Sequence, residues 1–142
     1  MPEKSTFYSI FSHTADLGIS VTGCSCEDLF RNAGLALLEL IVKNKAPKFE
    51  KMVKISLDGI DLPDLMVRWL SEILYLFEGE RLVVTAITID SIDSNNIKST
   101  LSVMKFNSQE NEILREIKAV TYHQIEVEKK NNIWTASIIF DL

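Results

Sequence analysis

The 142-residue chain predicts an α+β fold, with two helices packed on one or two mostly antiparallel β-sheets. Three observations carry that reading. Strand-like runs outnumber helical ones, in the order β-β-α-β-α-β-β-β-β. One long segment, Leu62 to Phe77, repeats its apolar residues with helical period. The second half, from Leu82 onward, is a series of alternating runs broken by Asp, Ser and Asn.

Taken in order, Thr6–Phe11 is rich in aromatic and β-branched residues and reads as a strand. Leu17–Gly23 follows, with Ile19 and Val21 alternating against Ser20 and Thr22. Ser25 is a good N-cap, and Glu27 and Asp28 sit in the first turn, where the helix dipole favours anions. That helix should run to about Val42, burying Leu29, Ala33, Ala36, Leu37, Leu40 and Ile41, and end at Asn44-Lys45-Ala46-Pro47. Lys51–Asp58 alternates again, with Val53, Ile55 and Leu57 on one face.

The second helix has Asp61 as its cap, Pro63 in the tolerated first turn and Gly79 at its stop. Leu62, Leu65, Met66, Trp69, Leu70, Ile73, Leu74 and Phe77 form one core-facing stripe. Leu82–Ile92 and Lys98–Phe106 read as a hairpin around Asp93-Ser94-Asn95-Asn96. Ile117–Lys129 and Ile133–Leu142 read as another, turning at Asn131-Asn132, where asparagine tolerates left-handed dihedrals.

Hydrophobic residues make up 46% and charged residues 25%, as expected of a soluble globular chain, and the whole of 1–142 reads as a single domain. No stretch approaches the roughly 18 apolar residues of a spanning helix. Met1-Pro2-Glu3-Lys4-Ser5 lacks an apolar signal core, so an intracellular protein is expected. The net charge of −5 argues against non-specific nucleic-acid binding and favours a protein partner or a cation.

Cys24 and Cys26, one residue apart, are poorly placed for a structural disulfide. A zinc site from these two with His13 and His123 lacks the known ligand spacings, so the cysteines read as small residues at a strand-to-helix junction. No G-x-S-x-G, Walker A, H-E-x-x-H or G-x-G-x-x-G occurs, and neither histidine has a nucleophile in context. Stand-alone catalysis is therefore not expected, and no catalytic residue is assigned.

Two polar islands remain: His13-Thr14-Ala15-Asp16 near the start, and Asp141 beside Leu142 at the end of a strand-like run. Alone, Asp16 reads first as an Asx-turn and Asp141 as a solvated strand end. A two-residue turn at Asn131-Asn132 sets the last hairpin's register: Lys130 faces Ile133, Val127 faces Ala136, Ile125 faces Ile138 and His123 faces Phe140. Tyr122 then opposes Asp141, and Thr121 opposes Leu142. If folding joins the two islands, the Asp16, Asp141 and terminal carboxylates meet with no cation from either segment. An oxygen-only set of that kind selects hard ions such as Ca²⁺, Mg²⁺ or Mn²⁺.

Four segments together resemble the archease family: F-S-H-T-A-D-L-G-I (Phe11–Ile19), D-L-M-V-R-W-L-S-E-I-L-Y-L-F (Asp64–Phe77), E-I-K-A-V-T-Y-H (Glu116–His123) and the terminal F-D-L (Phe140–Leu142). The resemblance spans nearly the whole chain. It implies a protein cofactor, not an enzyme: a cytoplasmic activator of the GTP-dependent RNA ligase that joins 2′,3′-cyclic-phosphate or 3′-phosphate RNA ends to 5′-hydroxyl ends in tRNA splicing and repair. The activator promotes guanylylation of the ligase and multiple turnover, and meets RNA only indirectly. It also implies a metal site, with calcium the leading ion and magnesium or manganese the alternatives. Matching by position, its ligands are Asp16, Asp141 and Leu142, while His13, Lys118 and Thr121 match further motif positions. The rival expectation is a general interaction or chaperone-like module whose metal only steadies the fold. A metal-dependent hydrolase, the third class, would turn over without a partner.

Overall fold

The computed structural model describes residues 7–13 and 16–142. Elements run β1 (Tyr8–His13), β2 (Asp16–Gly23), α1 (Cys26–Ile41), β3 (Val42–Asn44), β4 (Lys51–Asp58), α2 (Leu62–Glu78), β5 (Leu82–Ile92), β6 (Asn96–Lys105), β7 (Asn111–Ile113), β8 (Ala119–Val120), β9 (Glu126–Lys130) and β10 (Ile133–Asp141). All strand pairs are antiparallel, and the α+β expectation holds. The largest sheet has the order β1-β2-β10-β8, with β9 also on β10. A second has the order β4-β6-β5, and β3 pairs with β7 in a third. Among the described residues no helix is long and apolar enough to cross a membrane.

Both helices begin where local chemistry directs. Ser25 Oγ accepts from the Asp28 amide, and Asp61 Oδ1 accepts from the Asp64 amide. Their ends also fall close to expectation, and α2 stops at Glu78 with Gly79 as its C-cap, in right-handed and not left-handed conformation (φ −92°). α1 stops at Ile41, because Val42 is already extended and pairs with Ile113. The orphan carbonyls of Leu40 and Ile41 are met by the Arg115 guanidinium and the Leu114 amide, at 2.9 Å each. Strands β3 and β7 were not foreseen, since three-residue strands arise from tertiary pairing and carry no periodic signal. After α2 the left-handed residue is Arg81 (φ 56°), and its guanidinium lies over the Phe106 ring at 4.8 Å.

Each helix touches both larger sheets: α1 packs on β2 and β5, and α2 packs on β5, β4 and β8. Burial of α2 is accordingly wider than a single stripe. Val67 and Leu76 are buried beside the expected Leu65, Met66, Trp69, Leu70, Ile73, Leu74 and Phe77. Trp69 Nε1 donates to the Phe30 carbonyl at 2.8 Å and ties the helices together. Gly34 permits their close approach, as a Cβ there would stand 2.8 Å from Ile87 Cδ1 and 3.0 Å from Ile73 Cδ1.

The last hairpin is half as expected. Asn131 and Asn132 both take positive φ (51° and 67°), and Lys130 faces Ile133 and Val127 faces Ala136, as the two-residue turn requires. The ladder then breaks after Glu126, and pairing resumes with Val120 opposite Phe140 and Ala119 opposite Asp141. The expected pairings of His123 with Phe140, Tyr122 with Asp141 and Thr121 with Leu142 are therefore incorrect. Residues Thr121 to Ile125 bow out of the ladder around Gln124 (φ 54°), and the Ile125 amide donates to the Tyr122 carbonyl at 3.3 Å. Three extra residues enter one strand, so Ile117–Lys129 is two short strands and not one.

Candidate functional site

The two polar islands meet. β2 and β10 pair along their whole length, and the register sets Asp16 directly opposite Asp141. In β1, His13 is the partner of Asp16, and in β8, Ala119 is the partner of Asp141. Four Cα positions, His13, Asp16, Asp141 and Ala119, thus form one row across one end of the sheet. Thr14 and Ala15 of the first island lie outside the described residues. Directly opposed residues point to the same face with Cβ atoms about 4.5–5.5 Å apart, so the Asp16 and Asp141 carboxylates share a face. Asp16 is half-buried, and Asp141 and Leu142 are exposed.

The remaining candidates fall around this pair. Lys118 is exposed, and its amide donates to the Asp141 carbonyl at 2.8 Å. Thr121 is bound twice to Ile139, its amide at 3.1 Å and its hydroxyl at 2.9 Å from that carbonyl. Its hydroxyl also accepts from the His123 amide, so Thr121 serves as a backbone tie. Described ion pairs lie elsewhere, at Asp28–Arg31, Asp64–Arg68 and Glu128–Lys130.

Opposed carboxylates repel, and an all-oxygen pair suits a hard divalent cation better than a soft one. Among the described residues no three His, Cys, Asp or Glu side chains converge as a metal cluster. The candidate here has two such side chains, with Leu142 adjoining through its main chain. The donor chemistry fits the expected ion in kind. The zinc alternative finds less support. Cys24 is exposed at the β2–α1 junction, and burial pushes the half-buried Cys26 thiol up to about 11, away from the thiolate a metal needs.

A second polar cluster escaped the sequence reading. Asp64, in the first turn of α2, is only 7% exposed. Its Oδ1 accepts from the Tyr122 hydroxyl at 2.6 Å, and its Oδ2 accepts from the Ile60 amide at 3.0 Å and Arg68 Nε at 2.9 Å. The Tyr122 hydrogen bond, followed by the Ile60 amide, holds the Asp64 carboxyl down to about 2. The same hydrogen bond pushes the Tyr122 phenol up. The Asp64/Arg68 spacing of four was visible in sequence, but nothing local announced Tyr122, 58 residues away.

Fold and site define a small two-helix α+β protein that presents an acidic pair at one end of its main sheet. The chain belongs to the archease family: residues 8–142 match the Archease protein family (MTH1598/TM1083). It is 34% identical to the protein archease of Methanosarcina mazei, with all of both chains covered. It is 30% identical to that of Sulfolobus acidocaldarius, covering 96% of this chain and 99% of the relative. Among solved structures it resembles the solution structure of Methanobacterium thermoautotrophicum protein 1598, with a TM-score of 0.78, 25% identity, and coverage of 95% of this chain and 98% of that one. It shares its fold with a Thermotoga maritima archease described as a possible chaperone, with a TM-score of 0.64, 22% identity, and coverage of 93% and 94%.

Proposed function

We propose that this archease activates the GTP-dependent RNA ligase of tRNA splicing and RNA repair, promoting guanylylation of the ligase and its multiple turnover without catalysing a reaction alone. The observation that carries the reading is the direct opposition of Asp16 and Asp141 at an exposed sheet end. Such a pair can be offered to a partner's active site, where it would place a cation beside the negative charge that nucleotidyl transfer develops. Asp16, Asp141 and the terminal carboxylate of Leu142 would hold a hard divalent ion, calcium first, with magnesium or manganese as alternatives. When bound, that ion supplies positive charge to orient anionic groups. Lys118 stands beside Asp141 as a second charge available to the partner, with His13 in the same strand row and Thr121 fixing the segment that carries Lys118. The reading implies a cytoplasmic protein that meets RNA through its ligase.

The test is ligase guanylylation and multiple-turnover RNA joining, with and without the protein. Asp16→Ala and Asp141→Ala variants, shown folded by circular dichroism, should lose most of the stimulation. Wild-type stimulation by both would sink the proposal. The rival reading, an interaction or chaperone-like module with a purely structural metal, draws on the same pair, which closes the β2–β10 ladder. Chelation separates the two: a lower melting temperature with ligase activation intact would favour the module.

A further inference from the structure

The segment bearing Lys118 and Thr121 is held against the end of β10 by a strand of only two residues, out of step with the β9 ladder by three. A strand so short has little hold of its own. Beyond it, Tyr122 lies outside the ladder. The residue is 56% exposed, yet its hydroxyl reaches Asp64 at 2.6 Å. Asp64 is an anchor prepared independently of Tyr122. Its amide is taken by Asp61, and its second oxygen is taken by the Ile60 amide and Arg68.

We propose that the Tyr122–Asp64 hydrogen bond is a latch between the bowed loop and α2, and that it positions the Lys118–Thr121 segment against Asp141. Tyr122 and Asp64 are positioning residues, since neither lies in the row of partners at the sheet end. Between latch and site runs a short chain of contacts. Thr121, the residue before Tyr122, is tied twice to the Ile139 carbonyl, and Lys118 is tied to the Asp141 carbonyl. Release of Tyr122 would free the loop's distal end and leave the β8 pairing and the Thr121 ties to Ile139 to hold Lys118 in register. The functional half of this inference rests on the activator reading above. The positional half does not.

The experiment uses Tyr122→Phe, which keeps the ring and removes the hydroxyl, alongside Asp64→Asn and the double variant. Amide hydrogen exchange should quicken at Lys118 and Thr121 by roughly tenfold to a hundredfold, in line with losing a hydrogen bond to a charged group, while β2 amides hold their wild-type rates. Stimulation of ligase guanylylation by Tyr122→Phe should fall severalfold at temperatures where the variant is fully folded, its melting temperature lowered by only a few degrees, which a merely structural contact would not produce. The double variant should add little to either single one. Unchanged exchange at Lys118 and Thr121 in Tyr122→Phe overturns the latch. Faster exchange with full stimulation overturns its role in activation. Full stimulation by Asp16→Ala and Asp141→Ala would instead defeat the activator reading, and the exchange result for the latch would stand apart from it.

Discussion

Asp16 and Asp141, separated by almost the whole chain, are direct cross-strand partners at the end of the β2–β10 ladder. Two like charges opposed in this way work against the pairing they terminate. Without a cation, Asp16→Asn should therefore stabilise the protein by roughly 0.2–1 kcal/mol, read from urea unfolding after chelation. With millimolar Ca²⁺ the order should reverse, the wild type gaining and the variant not. A calcium response equal in both proteins would remove Asp16 from the ligand set.

Leu142 extends the same argument to the chain end. Converting its carboxylate into an amide, by a C-terminal tag or by amidation, should weaken calcium binding measured by calorimetry against the untagged protein. Unchanged affinity would exclude the terminal carboxylate as a ligand.

Asp64 sets an acid dependence whose sign follows from its depressed ionisation. Its carboxyl ionises near 3.8 when unfolded and at about 2 when folded. The stabilisation is complete above pH 3.8 and is lost as pH falls toward about 2. Asp64→Asn should flatten the stability profile in that window. In Tyr122→Phe, whose hydroxyl is the largest cause of the shift, carboxyl NMR titration should show Asp64 moving back toward 3.8. At the alkaline end the sign reverses: Tyr122 is held above its ordinary 10.0, so its contribution is present below that value and fades as pH rises through the folded one.

Trp69 is fully buried, and its indole N–H serves the Phe30 carbonyl. Trp69→Phe should cost about 1–3 kcal/mol through the lost donor and reduced volume, and Trp69→Ala about 3–5 kcal/mol. Chemical denaturation with circular dichroism measures both. A loss under 1 kcal/mol for Trp69→Ala would mean the helix–helix seam repacks.

Much of the architecture was legible because its causes are local. β4 and β5 span the segments the alternation marked out, and both helices start at the predicted caps. The acidic pair was legible only as two islands, since nothing in Phe11–Ile19 specifies that β10 will lie beside β2. The last hairpin shows where period-2 reasoning ends. The Asn131-Asn132 turn set the register for five pairs, and a bow of three residues then reset it. No residue between Thr121 and Ile125 signals that bow strongly, because its support comes from α2.

The sequence by itself determined the α+β class, the helix starts and the last turn. These depend on side-chain period, capping and dihedral preference within a few residues. Only the tertiary structure decided that Asp16 faces Asp141, that Ala119 and not Tyr122 neighbours Asp141, and that Tyr122 bonds to Asp64. Those relations depend on which distant surfaces bury one another, and burial is settled by the whole core at once.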